Sequence, residues 1–181
     1  NTLAMVQAVV AQSLRHATSI EQASSVATAR IQALGRAQDM LTATDWTVAD
    51  MRSAVEAAIA PHVDKPNRFT LKGPMLDLSA QQAMGIALAI HELATNAAKY
   101  GALSNDEGQI HLRWALGKDT AFRFEWREER GPPVGPVTRK GFGTRLTERV
   151  VPGYFSGHAT SEYRPEGFAY VMDGMLDLSV A

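Results

Sequence analysis

Cysteine is absent from the 181 residues. No disulfide framework, thiolate nucleophile or zinc–thiolate site is therefore available to the chain, and a reducing interior suits it. A surplus of one charge is also missing. Eighteen basic and 19 acidic side chains leave a formal net charge of −1, which removes the electrostatic footprint of a general nucleic-acid binder. Long apolar runs are lacking too: the stretch from Leu3 to Ala11 is broken by Gln7 and falls far short of the ~20 residues a membrane span needs. No contact with nucleic acid and none with a membrane is expected within these residues.

What is present suffices for a core. Hydrophobic residues make up 45% and charged residues 20%, a globular composition for one or two domains. The first residue is Asn1 rather than Met, inside an already periodic helical pattern, so the chain reads as part of something longer. Residues 1–15 carry Leu3, Val6, Val10 and Leu14 at helical steps. After a break at 16–18, Thr18 and Glu21 fit a capping box, and Ile20, Ala23, Ala27, Ile31, Leu34 and Leu41 line one side of a second helix. Two helices so joined lie antiparallel and leave a face to be covered by a second subunit or by the following domain.

From residue 43 the pattern changes to a mixed domain. Thr47 and Asp50 offer an N-cap for a helix over 48–62, and residues 68–72 alternate as a strand. Ser79 and Gln82 cap a long helix to Tyr100, with Gly101 expected as its left-handed C-terminal residue. Residues 109–116 and 121–127 read as a hairpin around Gly117, Lys118 and Asp119. The proline- and glycine-rich stretch 131–136 is irregular, 144–151 is helical, and strands near 158–164 and 168–176 close the chain.

The long helix ends in "HELATNAAKYG", residues 91–101. Ala83, Ile86, Ile90, Leu93 and Ala97 form a stripe for packing on a sheet, whereas Glu92, Asn96 and Lys99 follow i, i+4, i+7 on another side. A solvated charged face explains such a triplet on an arbitrary helix. A carboxylate, an amide oxygen and an ammonium are also the separate needs of a magnesium–triphosphate group.

This stretch resembles the N box of the GHKL ATPase superfamily. Together with Trp126-Arg127-Glu128 and the opening "NTLAMVQAVVAQSLR", it is similar to the HWE subclass of bacterial sensor histidine kinases. The resemblance implies an α+β chain: an antiparallel helical hairpin (1–42) for dimerisation and histidine phosphotransfer, then a Bergerat-type ATP-binding α/β sandwich (43–181). It implies ATP and Mg²⁺ as cofactors, a response regulator as partner, a possible homodimer through 1–42 and a cytoplasmic location.

Carried over residue by residue, Asn96 is the Mg²⁺ ligand, Glu92 the base or orienting group near the γ-phosphate, Lys99 a phosphate contact, and Tyr100 a border of the nucleotide. His91 marks the subclass, either as a phosphate contact or as a structural histidine. In "WREERGPPV" the carboxylate reading adenine is Glu128 or, counting back from Gly131, Glu129. In "RKGFGTRL" Gly141 and Gly143 let backbone N–H groups approach phosphate, and Thr144 starts a helix whose positive end favours anions. Residues 129–142 are the expected lid.

The acceptor motif of the subclass, His-Arg-x-Lys-Asn, is represented only by Asn1, so the fragment is expected to bind ATP without labelling itself. His16 is not a substitute, and His62, His111 and His158 show no metal-ligand spacing. The rivals are a non-catalytic phosphotransfer protein and a serine kinase of anti-sigma type. The intact Glu92–Asn96–Lys99 set argues against the first, and the hairpin with the Trp-x-Glu triplet against the second.

Overall fold

The computed structural model describes residues 2–42, 48–133 and 142–177. In chain order it comprises α1 (Thr2–His16), α2 (Ile20–Thr42), β1 (Val48–Asp50), α3 (Met51–Ile59), a 3₁₀ turn (Ala60–His62), β2 (Phe69–Lys72) and β3 (Asp77–Ser79). Next come α4 (Ala80–Tyr100), β4 (Gln109–Leu116) and β5 (Ala121–Glu129), then α5 (Phe142–Arg145), a π-helical turn (Leu146–Val150), α6 (Val151–Gly153), β6 (His158–Arg164) and β7 (Gly167–Met175). The architecture is the α+β hairpin-plus-sandwich expected. The asparagine at position 1, Thr47, Gly141 and most of the expected lid (134–141) lie outside the described residues.

Strand alternation builds the sheet. Phe122, Phe124, Trp126 and Glu128 are buried along β5 while the residues between them face outward. The sheet order is β2-β4-β5-β7-β6, with β2 parallel to β4 and every other pair antiparallel. Its inner face supplies Ile110, Leu112, Trp126, Tyr170 and Met172 to the core, and Phe122 stacks on Phe155 at 5.0 Å. A short antiparallel ladder of β1 and β3 stands apart from this sheet.

Helix α4 occupies the centre. Ser79 caps it by accepting from the Gln82 backbone N–H at 3.4 Å, and the expected stripe of Ala83, Ile86, Ile90, Leu93 and Ala97 is fully buried. Gln82 fastens the N-terminal end: its amide donates to the carbonyls of Met175 and Tyr154 and accepts from the Asp177 N–H. Burial continues round the helix from Gln82 to Ala94, broken only by half-buried His91. A helix that is apolar on nearly every side needs cover on both flanks. The sheet covers one, and α2 with α3 cover the other.

Several local expectations shift. The helix expected over 48–62 is the strand β1, then α3, then a 3₁₀ turn containing Pro61, which cannot continue an α-helix. Asp50 is its cap, as expected, accepting from the Ser53 N–H and hydroxyl at 2.8 Å. The cap of α2 sits one residue later than Thr18: Ser19 accepts from the Gln22 N–H, and the Gln22 side chain reaches back to the N–H and hydroxyl of Thr18. The buried side of α2 is also rotated from the expected stripe. Ala23, Arg30, Ala33, Leu34 and Ala37 are buried, while Ile20 and Ile31 are exposed; on α1, Val9 and Ser13 are buried and Leu3 and Leu14 exposed. In the β4–β5 turn Asp119 and Thr120 take left-handed backbone conformations.

Asp50→Ala removes the acceptor for two donors at the start of α3. It is expected to cost about 1 kcal/mol, read as a lower urea midpoint with an unchanged slope.

Candidate functional site

The C-terminal half of α4 divides the expected residues between two environments. Glu92 is buried, whereas Asn96, Lys99 and Tyr100 are exposed on the last turn. Asn96 and Glu92 share a neighbour. A Cβ added to Gly143 would lie 2.7 Å from Glu92 Oε2 and 3.7 Å from Asn96 Nδ2, so the glycine-box backbone passes directly over the N-box pair. A side chain there would have to displace the Glu92 carboxylate. Thr144 is half-buried beside it, and the carbonyls of Gly143 and Thr144 both accept from the Thr147 hydroxyl.

Glu92 does not face water with its two companions, as the sequence suggested. Its Oε1 accepts from Arg30 Nε at 2.5 Å and its Oε2 from Arg30 Nη2 at 2.7 Å, a two-pronged pair buried between α2 and α4. The third prong, Arg30 Nη1, donates to Ser13 Oγ at 2.9 Å, and Ser13 in turn donates to the Val9 carbonyl. Sequence reasoning missed Arg30. A signal existed, since it interrupts the small and apolar series Ala23, Ala27, Leu34, Ala37 at helical spacing.

His91 lies one residue away in a different setting. Its ring is 5.9 Å from that of His62, and His91 Nδ1, His62 Nε2 and Arg36 Nε are buried without hydrogen-bond partners. Burial lowers the pKa of both imidazoles, that of His62 to about 4, where His91 and Arg36 add to the fall. At His91 the Glu92 carboxylate opposes the shift, and Arg36, Arg30 and Lys99 reinforce it. Both rings are neutral near pH 7.

Alternation along β5 separates the two adjacent glutamates. Glu128 points to the helix-covered face and Glu129 to the outer face, where its carboxylate lies 3.5 Å from His111. Glu128 Oε1 accepts from Trp126 Nε1 at 3.0 Å and Oε2 from the Ala102 N–H at 2.8 Å. Burial raises its pKa, and those two donors oppose the rise. Gly101 is there to admit this carboxylate, because an added Cβ would fall 2.0 Å from Glu128 Oε2. Its backbone is extended (φ −120°, ψ −150°), so the expected left-handed cap is replaced by a steric requirement.

The Ala102 carbonyl accepts from Arg68 Nη2, a second residue the sequence reading passed over. Gly108 and Gly131 press on the Ala102 backbone, each too close to carry a side chain. Gly131 thus sits with Gly101, Ala102 and Glu128, while Gly143 sits with Glu92 and Asn96. A cleft of about 500 Å³ beside Lys72, Arg113 and Arg123 shares none of these residues.

The sheet with its covering helices is the fold of histidine kinase catalytic domains of the GHKL type. The histidine kinase domain of the Erythrobacter litoralis EL346 blue-light-activated kinase superposes with a TM-score of 0.65 at 14% identity, over 95% of this chain and 94% of that one. A mycobacterial sensor histidine kinase, MprB, gives 0.55 at 15%, over 71% and 97%. Residues 1–75 match the family model of HWE histidine kinases. A blue-light-activated histidine kinase of Brucella ovis is 38% identical over 171 residues, 92% of this chain. The chain belongs to the HWE histidine kinase family and spans 35% of the length of that relative.

Two outcomes test the geometry. Gly101→Ala should cost about 1–3 kcal/mol and speed hydrogen exchange at the Ala102 amide, because the new methyl displaces Glu128. For His62, the unfolded chain binds the proton more tightly than the folded one, so stability is full above pH 6.5 and is lost as pH falls towards 4. Allowing for its partial exposure, His62→Gln should remove on the order of 1 kcal/mol of that acid loss, measured by urea unfolding at about pH 7 and about pH 4.5.

Proposed function

We propose that this chain is the kinase core of a two-component sensor. In this reading it binds Mg-ATP and passes the γ-phosphoryl group to a histidine upstream of Asn1 in the longer protein, from which it reaches a response-regulator aspartate. The observation that carries the reading is the seating of Gly143 over Glu92 and Asn96: the glycine box and the N box meet, and the space is kept clear by the missing side chain.

The residues fit the group. The exposed Asn96 side-chain oxygen is a hard, neutral ligand suited to Mg²⁺, which when bound offsets charge on the transferring phosphoryl. Lys99 adds a point charge and Tyr100 an exposed ring at the open end of α4. Glu128 is the adenine-side carboxylate. Each of its oxygens accepts one bond from the protein and retains a lone pair for an amino proton. Glu92 selects the tautomer of the incoming imidazole or takes a proton from its far nitrogen, a modest demand because neutral imidazole already has a free lone pair. His91 has the setting of a structural histidine, half-buried and against His62.

The hairpin supports self-association. Its outer side exposes Leu3, Leu14, Ile20 and Ile31, which a second copy would cover. Among the described residues no helix is long and apolar enough to cross a membrane.

Calorimetry tests the assignment. The chain should bind ATP with an affinity that rises at least about tenfold on adding Mg²⁺, and Asn96→Ala should abolish that increment. Absence of ATP and ADP binding by the folded chain would return it to the non-catalytic reading.

A further inference from the structure

A buried ion pair between the hairpin and the rest of the chain falls on a side chain that the proposed chemistry needs free. Arg30 occupies both oxygens of Glu92, and neither partner has appreciable contact with water. A carboxylate so held is poorly placed to receive a proton from an incoming imidazole. The hairpin also reaches the glycine box, since α1 packs against α5, which carries Gly143. In this arrangement the hairpin covers the end of the site where Glu92 and Gly143 meet.

The same interface is not built for permanence. Among the described residues, three of the four buried side-chain nitrogens without a hydrogen-bond partner lie here: Arg36 Nε on α2, His62 Nε2 on the 3₁₀ turn and His91 Nδ1 on α4. Each is a buried polar group left unsatisfied, which opposes docking and is relieved when water enters. One well-made ion pair and an apolar seam that includes Val9, Leu34 and Ala37 therefore hold an interface that also buries these three unsatisfied groups. Separating the pair into water frees both charges together, a milder event than deleting one and stranding the other.

We infer that the Arg30–Glu92 pair is a latch: with the hairpin docked Glu92 is withheld, and phosphoryl transfer requires the hairpin to lift and release it. Arg30 acts through Glu92 and is a positioning residue. The inference rests on the reading of Glu92 given above, and its test separates the two.

Hydrogen exchange of α2 and uptake of label from radioactive ATP are measured in a chain extended upstream to the acceptor histidine. In Arg30→Met the amides of α2 should exchange at least tenfold faster, with β5 and β7 unchanged, and label uptake should rise at least threefold. Glu92→Gln should loosen α2 in the same way but lower label uptake, because the released side chain is no longer a carboxylate. If both variants loosen α2 and both raise uptake, the latch holds and the role given to Glu92 fails. If α2 exchange stays within twofold of the parent in both, the latch is overturned. It is overturned equally if α2 loosens in Arg30→Met while uptake stays level, or if uptake falls and Arg30→Lys restores it; Arg30 is then a brace for Glu92. Should Arg30→Met lose protection in β5 and β7, Ser13→Ala decides by the same readouts. It removes the acceptor of Arg30 Nη1 without altering a charge and should shift both measurements in the same direction by a smaller factor.

Discussion

A guanidinium and a carboxylate held face to face with almost no water around them set how the two layers of this protein meet. Arg30 on Glu92 fixes the rotation of α2 against α4, and with it the side of the hairpin that turns inward. The seam of Val9, Leu34 and Ala37 follows that choice, and so does the outward turn of Leu3, Leu14, Ile20 and Ile31. Buried ion pairs owe their worth to geometry and complete hydrogen bonding rather than to charge alone. Here all three nitrogens of the guanidinium donate, the last of them to Ser13 on the other arm of the hairpin.

The C-terminus of α4, beyond the ion pair, is organised around a backbone unit. Ala102 has its N–H on Glu128 and its C=O on Arg68, while Gly108 and Gly131 close in without side chains. Strand β5, the start of β2, the loop before β4 and the segment after β5 are thereby tied to the last turn of one helix. Trp126 completes the tie by donating to Glu128, so the Trp-x-Glu spacing has a mechanical explanation: alternate residues of a strand share a face, and the indole and carboxylate touch.

The strands and the central helix could be read from the sequence because their signals are local. Alternation along 109–116 and 121–127, the Ser79 cap and the stripe from Ala83 to Ala97 survive in the fold, where the second strand runs on to Glu129. The hairpin was legible as two helices but not in its rotation. Its apolar residues lie on more than one side, and the side that turns inward is chosen by a partner 62 positions away. The glycines show the same limit: Gly101 was expected for its freedom of φ, and its actual cause, the Glu128 carboxylate, lies on a strand far along the chain. The spacing of Glu92, Asn96 and Lys99 was read as one converging set; Gly143 lies close to the first two, but burial of Glu92 depends on Arg30, which no pattern within α4 could reveal.

The helix following the glycine box has a widened turn at Leu146–Val150, and within it the Thr147 carbonyl accepts from the Tyr170 hydroxyl in the middle of the sheet. A π turn holds one residue more than an α turn. If the phenol ceased to donate there and the coil tightened to the ordinary pitch, every residue ahead of it would swing by about 100° around the axis and advance by about 1.5 Å. Gly143 would then no longer sit over Glu92 and Asn96, so the one extra residue in this turn keeps two distant sequence motifs in phase.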